Sequence, residues 1–92
     1  KKIAKAVKIK SKNFSLDLEI GEKHYKSQGD TATEAVNNLA IDKFGIKGFG
    51  FLTLKSAGKK SQLKITPFQI RRLLVNKVFG EILMGRMLKS LK

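Results

Sequence analysis

Between residues 14 and 20 apolar and polar side chains alternate without interruption. Phe14, Leu16, Leu18 and Ile20 are separated by Ser15, Asp17 and Glu19. Successive side chains of a strand point to opposite faces, so the pattern predicts a half-buried β-strand. Gly21-Glu22 follows, and glycine at the first loop position suits a tight type II′ hairpin, which needs a positive φ there. Lys23–Ser27 is expected to return as the second strand, with Tyr25 as its core or cross-strand aromatic.

A second hairpin is predicted further on. Phe49–Ser56 reads as a strand, Ala57-Gly58-Lys59-Lys60 as a basic turn, and Ser61–Thr66 as the returning strand. Between the hairpins, Gln28-Gly29-Asp30 is a turn and Thr31-Ala32-Thr33-Glu34 reads as a capping box. Ala35/Val36, Leu39/Ala40 and Phe44 recur at helical spacing, which predicts a helix over Ala32–Phe44. Gly45 is its expected left-handed cap, with Ile46 as the apolar residue beyond. A further helix should start at Thr66-Pro67, where Thr66 caps, Pro67 takes the first helical position and Gln69 completes a second capping box. Its pattern runs towards Leu91, with Gly80 and Gly85 as candidate breaks or points of close contact.

The implied fold class is α+β: an antiparallel sheet of about four strands in two hairpins, with two helices, or three if the last segment bends. The order is ββαββα(α). Ninety-two residues suit a single small basic domain over 1–92. Residues 1–6 are expected to form a flexible basic arm, and Val7–Lys10 an extended edge.

Composition removes several classes of function. The chain has no cysteine and one histidine, His24, which excludes a disulfide framework and the usual thiolate or His-rich metal sites. No metal and no cofactor is expected. Phosphate-loop and nucleophile-elbow sequences are absent. Asp17, Glu19 and Glu22 cluster around a hairpin with His24, but alternating carboxylates on a polar strand face are where solvated charge belongs. The chain is therefore not expected to be an enzyme. No apolar run approaches the ~18–20 residues that span a bilayer, and the opening Lys1-Lys2-Ile3-Ala4-Lys5 lacks a signal-peptide core. The expected location is cytoplasmic, or within a nucleoprotein particle.

Charge gives the positive indication. The net charge is +13, and it is segregated: residues 1–12 carry +6, residues 13–46 carry −3 and residues 47–92 carry +10. An acidic middle between two basic ends reads as a footprint for a polyanion. The expected function is non-enzymatic nucleic-acid binding, with phosphate contacts from the N-terminal arm and from residues 47–92. Within the latter, Lys59 and Lys60 in the hairpin turn lead, joined by Lys47, Lys55 and Lys64. Arg71 and Arg72 at the second helix start can fork onto phosphates or guanine edges. The same reading serves DNA and RNA.

The octapeptide Lys47-Gly48-Phe49-Gly50-Phe51-Leu52-Thr53-Leu54 resembles the RNP1 motif of the RNA recognition motif family. The resemblance implies that Phe49 and Phe51 face outwards and stack on bases, while Leu52 and Leu54 face the core. It is confined to these eight residues. Leu54 stands where that family has an aromatic, and the order of elements differs from strand–helix–strand–strand. The competing reading, slightly favoured, buries both rings under the C-terminal helix, because a strand apolar on both faces is usually covered on both. Gln28–Ala35 also resembles the turn into the helix of HicB-type antitoxins and of integrase-arm DNA-binding domains, which adds a fold hint only.

The segment 67–92 is apolar nearly all round a continuous helix, more than one small sheet can cover. Leu74, Met84, Leu88 and Leu91 fall together on a helical wheel, and Val75, Val78, Phe79 and Ile82 gather nearly opposite. One set can pack on the sheet and the other is left for a homo-oligomer or protein partner. Leu74, Val75, Phe79, Ile82, Met84 and Leu88 are the candidate interface residues; a membrane surface is the least favoured occupant. The alternative function is therefore a structural component of a virion or ribonucleoprotein assembly, with this helix as its socket. A third is a small regulator that docks on an acidic protein surface by charge.

Overall fold

The computed structural model describes residues 13–91. The expected basic arm and the edge at Val7–Lys10 lie outside the described residues. The elements are β1 (Phe14–Ile20), β2 (Lys23–Gly29), α1 (Ala32–Asn37), a 3₁₀ turn (Lys43–Gly45), β3 (Gly50–Ser56), β4 (Lys59–Ile65), α2 (Pro67–Val75) and α3 (Lys77–Lys89). The fold is α+β, order ββαββαα, with one four-stranded antiparallel sheet in the order β2-β1-β3-β4.

The two hairpins join through their inner strands. Leu16 pairs with Leu54, Leu18 with Leu52 and Ile20 with Gly50, so the alternation of β1 meets that of β3 in phase. One face of the sheet is thereby apolar across its centre, and Ile65 of β4 extends it. The helices cover this face. Ala32, Ala35 and Val36 of α1, Ile70 of α2 and Leu83, Met84 and Met87 of α3 complete the core.

Both turns follow from their glycines. Gly21 has φ +61° and is followed by Glu22, as a type II′ hairpin requires. In the second hairpin Ala57 and Gly58 both have positive φ, 53° and 80°, a type I′ turn of two residues. That shorter turn places Lys59 and Lys60 in β4 rather than in the loop predicted for them.

The first helix is much shorter than its apolar spacing predicts. Thr31 caps it by accepting from Glu34 N–H at 3.0 Å, but the Glu34 carboxylate reaches back to Asp30 N–H at 3.2 Å rather than to the cap residue. The helix stops at Asn37-Asn38, residues whose side chains compete for backbone groups. Asn38 donates its side-chain amide to the Gln28 carbonyl at 2.9 Å, tying the helix end to β2. Leu39 and Ile41 still pack on the core from an irregular segment, whereas Phe44 is 81% exposed. Asp42 then caps the 3₁₀ turn by accepting from Phe44 N–H at 2.9 Å. Gly45 is not a left-handed cap: its φ is not positive, and a Cβ there would run into the Tyr25 hydroxyl.

The second capping box forms as predicted. Thr66 Oγ1 accepts from Gln69 N–H at 3.1 Å and Gln69 Oε1 accepts from Thr66 N–H at 2.8 Å, behind Pro67. The C-terminal segment bends, but at Asn76 instead of Gly80. Asn76 has an extended backbone and caps α3 by accepting from Phe79 N–H at 3.2 Å. An internal side-chain cap supplies what a glycine break would have left unsatisfied. Gly80 serves packing: a Cβ there would lie 3.4 Å from both methyls of Val36, so α3 sits close against α1.

Candidate nucleic-acid interface

Strand alternation sends Ser15, Asp17 and Glu19, His24, Lys26 and Gln28, Phe51, Thr53 and Lys55, and Lys60, Gln62 and Lys64 to the face opposite the core. All the described helices lie on the other side, since their buried residues belong to the apolar cluster. Among the described residues nothing covers the polar face. Its residues align in three rows across the strands: His24–Glu19–Phe51–Lys64, Lys26–Asp17–Thr53–Gln62 and Gln28–Ser15–Lys55–Lys60.

Charge is divided along these rows. Asp17 and Glu19 are engaged by His24, whose Nδ1 lies 3.1 Å from Asp17 and whose Nε2 lies 4.0 Å from Glu19. On the β3–β4 half the charges are unopposed. Lys55 and Lys60 are direct cross-strand neighbours, and among the described residues neither forms an ion pair. Like charges placed directly opposite are unfavourable in an isolated sheet, and an anion between them reverses the sign. A shallow concavity joins the two lysines to Lys26, Ser15, Gln28 and Thr53, and it continues past Gly58 to Lys59. Lys59 pairs with Ser56 and points to the helix side by alternation, but it is exposed at the end of the sheet and rims this depression.

The aromatic pair sits at the other end of the same half. Phe51 is 40% exposed near the start of the inner strand β3, between Glu19 and Lys64. Phe49, just ahead of β3, is 53% exposed, with Lys64 Nζ 4.6 Å from its ring centroid. The favoured reading that buried both rings under the C-terminal helix is overturned, because that helix covers the other side of the sheet. Leu52 and Leu54 do face the core. Lys47 is exposed in the segment leading into β3.

Arg71 and Arg72 do not join this group. Both are exposed on α2, in the helix layer, and the Arg72 guanidinium lies over two rings, 5.3 Å from Phe68 and 5.4 Å from Phe79. Their charge belongs to a different side of the molecule from Lys55, Lys60 and Lys64. Conversely, sequence reasoning missed Lys26, Thr53 and Gln62. Lys26 lies in the net acidic stretch, and only its strand parity opposite Tyr25 marks it as a member of the open face.

Of the candidate interface residues, Met84 is 1% exposed and belongs to the core, so it offers no docking surface. Leu74 and Phe79 are half-buried against the core, while Val75, Ile82 and Leu88 are exposed. The division into a packed set and an outer set holds for Leu74 and Met84 against Val75, Val78 and Ile82, and fails for Leu88, which is exposed, and Phe79, which packs on the core. No helix of the described residues is long and apolar enough to cross a membrane, and no group of three or more metal-ligating side chains gathers among them.

No family model matches the chain, and no curated protein or solved structure gives a significant match to it.

Proposed function

We propose that the protein binds nucleic acid, without catalysis, on the open face of its sheet. The observation that carries this reading is the uncovered β3–β4 half, where Lys55 and Lys60 face each other beside an exposed Phe51–Lys64 pair. Lys26, Lys55, Lys60 and Lys64 supply phosphate contacts, with Lys59 at the rim. Phe51 and Phe49 offer ring faces on which unpaired bases stack, a recognition that tolerates any sequence. Such a platform favours single strands, because bases in a duplex present only edges and backbone to a sheet. The basic stretch 1–12 adds charge to the same interaction. Arg71 and Arg72 on the helix layer are no part of this footprint.

The test is a binding titration over a range of salt with single-stranded and duplex DNA and RNA of equal length. The reading expects single strands to bind more tightly than duplexes, with log affinity falling linearly in log salt. Equal affinity for duplex and single strand would remove the stacking platform, and affinity indifferent to salt would remove the phosphate contacts.

A further inference from the structure

The core-facing residues of α3 are Gly80, Leu83, Met84 and Met87. Its other face carries Val78 and Ile82, 62% and 51% exposed, followed by Gly85, around which a Cβ would meet nothing within 4 Å. Val78, Ile82, Gly85 and Lys89 are spaced four, three and four residues apart, the spacing of a coiled-coil seam. In that frame Ile82 and Lys89 take a positions, Val78 and Gly85 take d positions, and the seam is flanked by Glu81 at g and Arg86 at e.

We infer that α3 pairs with α3 of a second copy of this chain, in parallel, about a two-fold axis along the helices. The charges select this occupant. In a parallel pair a g residue meets the e residue five positions on in its partner, and Glu81 and Arg86 are five apart. Two-fold symmetry makes both ion pairs at once, and Glu81 is the only acid in residues 47–92. β-branched Ile82 at a favours two strands, and Gly85 at d lets the backbones approach closely. Lys89 closes the seam with its aliphatic stem while its ammonium reaches water. The pairing uses the side of α3 away from the sheet, so both open sheet faces stay free, and it does not depend on the nucleic-acid reading.

The chain has no cysteine, so single-cysteine variants of the full chain report the geometry without nucleic acid present. In a parallel pair every seam residue meets its own copy. Val78→Cys and Gly85→Cys, oxidised separately, should each give a disulfide-linked dimer; an antiparallel seam can do so only near its centre. Sedimentation at micromolar concentration should show a dimer. Glu81→Arg should weaken it, and adding Arg86→Glu should restore it. A monomer in sedimentation, cross-linking at one of the two positions only, or indifference to Glu81→Arg would each overturn the inference. All these positions are exposed, and far-UV circular dichroism confirms that each variant is folded before its outcome is read.

Discussion

The two faces of the sheet are made by the same four strands in the same register, yet they obey different rules. On the covered face Leu16, Leu18, Leu52, Leu54 and Ile65 bury their side chains almost completely. Nothing there is charged at the centre, and each residue is fixed by what it touches. On the open face Lys55 sits opposite Lys60, Phe51 stands in solvent beside Lys64, and Asp17 and Glu19 share His24. The covered face minimises the free energy of the chain alone. The open face leaves a like-charge pair and exposed rings, features that a ligand of opposite charge and flat apolar surface would relieve. Under the proposed function, a strand position serves stability or binding according to its parity.

Leu52 and Thr53 are adjacent on β3 and point to opposite faces, so the same truncation at each should have very different costs. Leu52→Ala should destabilise the fold by about 2–5 kcal/mol in denaturant unfolding, by lost burial and the cavity left behind. Thr53→Ala should cost no more than about 1 kcal/mol, for a β-branched residue and the hydrogen bond it accepts from Gln62. Equal costs would mean that the open face is packed too.

Phe51→Ala should separate the two roles in the other direction. We expect a loss of about 1–3 kcal/mol in single-strand affinity, as for removal of a stacking base platform. Its unfolding midpoint should change far less than that of Leu52→Ala. A Phe51→Ala protein that fails to fold would assign the ring to structure.

Lys55→Ser with Lys60→Ser should lower the slope of log affinity against log salt by about 1.4 on a single strand, for two lost phosphate contacts. The same pair should leave stability unchanged or raise it by up to about 1 kcal/mol, because it removes a cross-strand repulsion. A double variant that binds less and also unfolds more easily would show that the lysines support the sheet.

The smallest expected effect is that of Arg71→Gln. Its side chain is exposed in the helix layer, so both stability and salt slope should match the parent protein. A fall in slope would extend the footprint around the molecule to α2.

Where the sequence was legible, a short-range rule decided the outcome. The Phe14–Ile20 alternation, the Gly21-Glu22 turn and the Thr66-Pro67-Gln69 cap each act within a few residues, and all three form as expected. The first helix was overread because the spacing of Leu39 and Phe44 matches a helix, while its end is set by Asn38 reaching Gln28 in another element. Of the two roles open to Gly80, break or close contact, the structure gives it the second and puts the break at Asn76. Glycine is a local signal for a break, but Gly80 is needed where α3 crosses Val36, a contact between elements distant in the chain. The candidate site was legible as charge and not as geometry. Lys55, Lys60 and Lys64 were found with Arg71 and Arg72 because composition pools them. Pairing β3 with β4 and turning α2 to the other layer separates them, and brings in Lys26 from a segment of opposite net charge.

The most direct measurement is an NMR titration of the labelled protein with a single-stranded oligonucleotide, following aromatic rings and side-chain amides. The account predicts that the rings of Phe49 and Phe51 and the amides of Gln28 and Gln62 shift together. The rings of Phe68 and Phe79, which flank Arg72, should stay in place. Shifts centred on Phe68, Phe79 and the Arg71–Arg72 guanidinium groups, with Phe51 unmoved, would contradict it and transfer the interface to the helix layer.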